Sequence, residues 1–237
     1  MGRFHRYRTA WSRHHRSGGF GIHSPFAFRF VQRVLGERCA YYAYADIKRF
    51  RSRMLDQMPR LLRRKAVASF STAKLLFRIA NFYNPQHLLV AGSRYGVEAA
   101  SVKAVSSSSA LYLTGCSAEA VEALKAEQNA RIVHDFSDCA EGIARYFAAL
   151  GENEYPFVVI HEISDESEYF ALKSAIIPWI SKEAVLIICH LHDNEPAARL
   201  WNECTAAGTY GQTFTNEKIG IYIINPKLQR EHFSLWL

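Results

Sequence analysis

Three groups of residues in this chain have types and spacings that could do chemistry. The first lies in "HLLVAGSRYGVEAA", His87 to Ala100, where an apolar run passes through Gly92-Ser93-Arg94-Tyr95-Gly96 into an alanine-rich segment. A strand, a tight loop and a helix opening in that order expose backbone N–H groups to a nucleotide-like ligand. Arg94 stands where a further glycine would let a ligand approach, and no carboxylate closes the strand. The second group is His161, Glu162, Cys189, His190, His192 and Asp193, all at the ends of apolar runs. Imidazole and thiolate bind zinc-like metals, and His-x-His on an extended segment points both rings to one side. No spacing among them is diagnostic, so they also read as ordinary polar surface residues. The third group, His14, His15, Arg16 and His23, flanks a turn at Gly18, Gly19 and Gly21 that could cradle an anion. The preferred reading is that Phe20, Ile22, Phe26 and Phe28 dock this arm and His23 makes a local hydrogen bond. Nucleophilic catalysis has little support. There is no Gly-x-Ser-x-Gly elbow or Walker loop, and Cys189 beside His190 has no identified orienting group.

The elements that must position these residues follow from periodicity. Candidate strands are "HLLVA", "ALYLT", "RIVH", "FVVIH" and "AVLIIC", several apolar throughout, as expected for parallel strands covered on both faces. Helical patterns lie between them. Asp138 with Glu141 reads as a capping pair with Gly151 at the helix end, and Pro196 and Gly208 bracket another helix. The closing runs "QTFT", "IGIYII" and "HFSLW" have short connections, which requires at least one antiparallel strand. Upstream, Ser24-Pro25 starts a helix with Phe26, Phe30 and Val34 in phase, and Ile47, Phe50 and Met54 share the face of a second. Leu75, Leu76, Ile79 and Phe82 form a stripe that Pro85 ends, and the four serines 106–109 read as a loop. The pattern is α/β: a doubly wound, mostly parallel Rossmann-like sheet with an antiparallel C-terminal strand, over residues 66–237, after a helical extension over 1–65. Ligands bind such sheets at the carboxyl ends of the strands.

Charge divides the chain the same way. Residues 1–65 hold 16 Lys and Arg against 3 Asp and Glu, whereas the remainder holds 13 against 19. The basic extension points to an anionic partner, either nucleic acid or an acidic protein surface, and its aromatic-rich helices are candidates for a homodimer interface. Five scattered cysteines without a CxxC argue against a disulfide framework and for a reducing, cytoplasmic setting. The apolar runs are too short to span a bilayer, and the Arg-rich start has no apolar h-region of a secretory signal.

With "GFGIHSPF" at 19–26, "YYAY" at 41–44 and Arg230–Phe233 near the end, the chain resembles a bacterial subgroup of class I S-adenosylmethionine-dependent methyltransferases. The resemblance runs from about residue 13 to the C-terminus. It implies S-adenosylmethionine as cofactor, held by Gly92, Ser93, Gly96, Thr114 and Asp135, with no catalytic residue assigned. It also exposes departures. Family strands one, two, four and five end in acids, where this chain has Val90, Thr114, His161 and Cys189-His190, and Arg94 replaces the middle glycine. Threonine cannot match the charge-assisted bonds of a carboxylate to ribose hydroxyls. Asp135, in His134-Asp135-Phe136, remains available. The expectation is therefore a non-catalytic homologue, a pseudoenzyme with a degenerate cofactor site that serves as a binding or scaffold module. The alternative is an active methyltransferase on a small-molecule or nucleic-acid acceptor.

Overall fold

Every apolar strand of the sheet divides its side chains between two hydrophobic clusters, one on each face. Leu88, Val90, Leu111, Leu113, Val159 and Ile187 point into one cluster. Leu89, Ala91, Tyr112, Val158, Ile160 and Ile188 point into the other. That burial on both sides is why these runs lack polar alternation. The structure, a computed structural model, describes residues 19, 21–58, 67–127 and 133–235.

In chain order the elements are α1 (Pro25–Phe30, continued by one π-helical turn, Val31–Leu35), α2 (Ala43–Asp56), α3 (Phe70–Tyr83), β1 (His87–Ala91), α4 (Val97–Lys103), β2 (Ala110–Thr114), α5 (Ala118–Glu127), β3 (Val133–Phe136), α6 (Cys139–Ala149), β4 (Phe157–Ile160), α7 (Glu166–Ile176), β5 (Ala184–Ile188), α8 (Glu195–Ala207), β6 (Gln212–Thr215), β7 (Gly220–Ile224) and β8 (Glu231–Ser234). The strands form one sheet in the order β3-β2-β1-β4-β5-β7-β6-β8. β1 to β5 pair in parallel. β7 runs antiparallel to both β5 and β6, and β8 is parallel to β6. The sole reversal among the described strands is thus β7. The strand order changes direction between β1 and β4, which makes their carboxyl ends the switch point where a ligand crevice opens in such sheets.

The described helices of the extension are part of this core. Phe30, Ile47, Phe50 and Met54 join the same cluster as β1 and α4. Ser24 caps α1, its side chain accepting from the Ala27 N–H, with Pro25 in the first turn. Three expectations need correction. The third strand spans Val133–Phe136, two residues later than "RIVH", whose first two residues lie outside the described ones. Phe82, in the last turn of α3, is 49% exposed, with its ring packed edge-on against Phe30 at 5.8 Å. Phe28 is 45% exposed; Ile22 and the Phe26 ring stacked on Phe30 at 5.8 Å do the docking instead.

Asp138 accepts from the N–H groups of Ala140 and Glu141 at the start of α6. Asp138→Ala is expected to lower unfolding stability by about 1 kcal/mol, the usual worth of an N-cap, measured by urea denaturation.

Candidate functional site

The loop after β1 is held mainly by its own backbone. Gly92 takes φ +68°, and its N–H donates to the Thr114 carbonyl at 2.9 Å. The Gly96 N–H donates to Ser93 O at 2.8 Å, and Arg94 O accepts from the Ser117 N–H at 2.8 Å. A Cβ on Gly92 would lie 1.9 Å from the Glu162 carbonyl oxygen, so the segment after β4 closes directly on this loop. Gly96, also at φ +68°, packs under α5, where an added Cβ would meet Leu124 at 3.1 Å and Ala120 at 3.4 Å. Arg94 is exposed, its guanidinium 5.8 Å from the Tyr95 ring centroid, and it forms no ion pair with Asp135 or Glu162.

Beneath the loop lies a buried polar chain. Ser93 Oγ donates to Glu98 Oε2. Glu98 Oε1 sits 2.9 Å from His161 Nδ1, with both side chains at most 3% exposed. The imidazole in turn adjoins the buried Cys189 thiol. Burial alone pushes the Glu98 carboxyl up, but the His161 charge and the bonds from His161 and Ser93 outweigh it and hold it well below the usual range. Burial likewise drags His161 down, yet Glu98 and Cys189 override it and keep the ring basic. The pair is therefore carboxylate and imidazolium at neutral pH. Burial raises the Cys189 thiol more than His161 lowers it. A charged ring cannot serve as a base and this thiol stays protonated, so the trio is no activated nucleophile.

After β5 the chain turns instead of staying extended, yet the His190 and His192 rings still fall on one side, stacked with centroids 6.3 Å apart. His190 adopts φ +57°, and Nδ1 of His190 and of His192 approach Asp193 Oδ1 at 3.0 and 3.3 Å. The His161 ring lies edge-on to His190 with centroids 4.5 Å apart, but its Nδ1 is turned to Glu98. Among the described residues no group of three or more His, Cys, Asp or Glu side chains is gathered closely enough to hold a metal ion. A cavity of about 520 Å³ opens beside these strand ends and is bounded by α3, with Lys74, Arg78, His161, Cys189 and Lys218 in its wall.

No protein-family model and no curated protein matches the chain. Solved structures do. An O-methyltransferase from Bacillus cereus, solved with SAH, aligns at TM-score 0.53 and 13% identity over 82% of this chain and 96% of its own. A methyltransferase from Geobacter sulfurreducens aligns at TM-score 0.53 and 15% identity over 83% of this chain and 96% of its own. The O-methyltransferase TomG from Streptomyces achromogenes, solved with SAM, gives 0.53 and 12% over 79% and 91%. The fold is that of S-adenosylmethionine-dependent methyltransferases.

On this methyltransferase fold the residues singled out in the sequence separate. Gly92 and Gly96 stand in the loop, and Asp135 is exposed at the end of β3, its carboxyl raised by burial against the pull of Lys125. Ser93 faces inward to Glu98. Thr114 is fully buried and turned under α6: an added Cβ on Gly142 would lie 2.5 Å from its methyl group, and Cys139 Sγ is 3.7 Å from its hydroxyl. The Thr114 side chain is therefore turned away from the loop, which it meets only through its carbonyl. The described residues of "GFGIHSPF" dock away from the carboxyl ends of the strands. The Gln212 amide, at the start of β6, donates to Ser24 Oγ at 2.6 Å, which puts the exposed His23 by the amino ends of the strands, opposite the switch-point crevice. His14, His15, Arg16, Phe20 and much of the basic charge of 1–65 lie outside the described residues. Among the described residues no helix is long and apolar enough to cross a membrane.

Glu98 is the site residue that sequence reading missed. A glutamate in the first turn of a helix ordinarily answers the helix dipole from the surface. The available signal was "EAAS", whose small residues let α4 sink until all seven of its residues are buried.

Proposed function

We propose that this chain is a non-catalytic, ligand-binding relative of the methyltransferases, and that it does not use S-adenosylmethionine as a methyl donor. One observation carries the reading: His161, at the strand end where the resemblance expects an acid, is fixed as a cation by the buried Glu98. A sulfonium cofactor wants negative charge near its cationic centre and an acceptor for its ribose hydroxyls. Val90 points into the core, Thr114 is turned away beneath α6, and Arg94 adds a second cation at the loop. The residues present do not fit the cofactor.

An active methyltransferase is the second reading. The structural neighbours favour it, and so does Arg94, which leans into solvent and leaves the loop unblocked. Calorimetric titration with S-adenosylmethionine and S-adenosylhomocysteine, carried to millimolar ligand, separates the two. No heat from folded protein is expected. Micromolar binding of either compound would replace the first reading with the second. The anionic partner expected for residues 1–65 remains a proposal of its own, resting on their charge.

A further inference from the structure

We infer that the cavity between α3 and the ends of β4 and β5 is a binding site for a small organic oxyanion, a carboxylate or phosphate ester with an apolar body. The inference rests on the binding-module reading and names its ligand class.

Three independent features converge on that cavity. The first is the amino end of α3, a helix of 14 residues with no acid in its first turn, whose Ser69, Ser71 and Thr72 line the wall. Ser69 caps the Thr72 N–H, and the remaining first-turn N–H groups and the helix dipole favour negative charge. The second is the cation set. Lys74 and Arg78 stand one turn apart on the same helix, and Lys218 faces them from the turn between β6 and β7. Lys74 is held over the Phe70 and Tyr44 rings at 5.2 and 5.7 Å, and Arg78 is braced by the Leu35 and Glu37 carbonyls at 3.0 Å each. The carboxylate in the wall, Asp193, is already approached by His190 and His192.

The third feature distinguishes this place from an ordinary basic surface. His161 lines the cavity, is 2% exposed, and its Nε2, with the Cys189 thiol beside the ring, has no oxygen or nitrogen acceptor. A buried ring nitrogen without an acceptor is costly to leave so. Nδ1 is turned to Glu98, so the N–H on the other side of the ring is the donor left over for a ligand. An oxyanion supplies the missing acceptor and meets the positive charge of Lys74, Arg78 and Lys218. Val67, Leu75 and Ile219 provide the apolar flank, and about 520 Å³ lies within the range of small-molecule sites.

The test uses the full chain and three probes: phenyl phosphate, benzoate and neutral benzyl alcohol, titrated by calorimetry at low and moderate salt. Submillimolar binding of at least one anion is expected, weakened by salt, with no binding of the alcohol. Which anion binds more tightly tells phosphate from carboxylate ligands. Lys74→Gln and Lys218→Gln, both at the cavity rim, are each expected to weaken binding about tenfold, as for loss of a charge-assisted contact. Glu98→Gln/His161→Gln, which removes both buried charges together, is expected to weaken it by at least as much. Three results would each overturn the inference: neither anion binds at about 10 mM, far above any specific affinity, the alcohol binds equally well, or the lysine variants bind like wild type. A parallel titration with S-adenosylhomocysteine keeps the failures apart, since heat there removes the non-catalytic reading, whereas silent anions remove only this site.

Discussion

Glu98→Ala is expected to cost about 3–5 kcal/mol of unfolding stability, the range for breaking a buried ion pair from one side. The loss comes less from the missing attraction than from what remains. His161 keeps its place with 2% of its surface exposed, and without the carboxylate it must either hold an unpaired charge or give up its proton. Ser93 loses its acceptor at the same time. Glu98→Gln/His161→Gln should cost clearly less than the alanine variant, because two neutral amides leave no buried charge. The pH dependence has a definite sign. Glu98 titrates below its ordinary 4.5, so its contribution is complete above that value and lost as acid protonates the folded form. His161 titrates above its ordinary 6.5, so its contribution is complete below that value and lost as the pH rises through its elevated folded pKa. Urea denaturation across this range should show both flanks in wild type and a much flatter profile in Glu98→Ala. Equal profiles would mean that the pair is not charged.

Gly92→Ala is expected to cost about 3 kcal/mol, combining left-handed backbone strain with displacement of a neighbouring chain segment. Its φ of +68° disfavours any Cβ, and the nearest atom is a backbone carbonyl that cannot swing aside, 1.9 Å away on Glu162. Gly21→Ala is the control. Its φ is +72° with nothing within 4 Å of an added Cβ, so only the strain of about 1 kcal/mol should appear. Comparable losses in both variants would show that contact with the Glu162 segment is not what requires glycine at 92. The glycine that resembles a ligand-approach residue is thus accounted for by two strand-end loops meeting at the switch point.

Strands were legible because each apolar run is buried on both faces, a pattern that needs no partner information, and caps such as Ser24 and Asp138 act through their immediate neighbours. What escaped depends on contacts distant in sequence. Glu98 is 63 residues from His161, and nothing local marks a first-turn glutamate as buried. Thr114 was placed by its position at a strand end, yet the close approach of Gly142 decides which way it faces. The destination of "GFGIHSPF" is set by Gln212, which lies 188 residues from Ser24. The local turn at His190 likewise overrode an extended reading, since its carbonyl accepts from the N–H groups of both Asp193 and Asn194.

The measurement that bears most directly on a cationic, cofactor-averse strand end is the ¹⁵N NMR titration of the His161 ring, assigned by its disappearance in Glu98→Gln/His161→Gln. Both ring nitrogens are expected to keep imidazolium shifts from pH 6 to about 9, well past the ordinary histidine midpoint near 6.5. A ring that titrates near 6.5, or is neutral throughout, would contradict the charge assigned to this site and reopen it to S-adenosylmethionine.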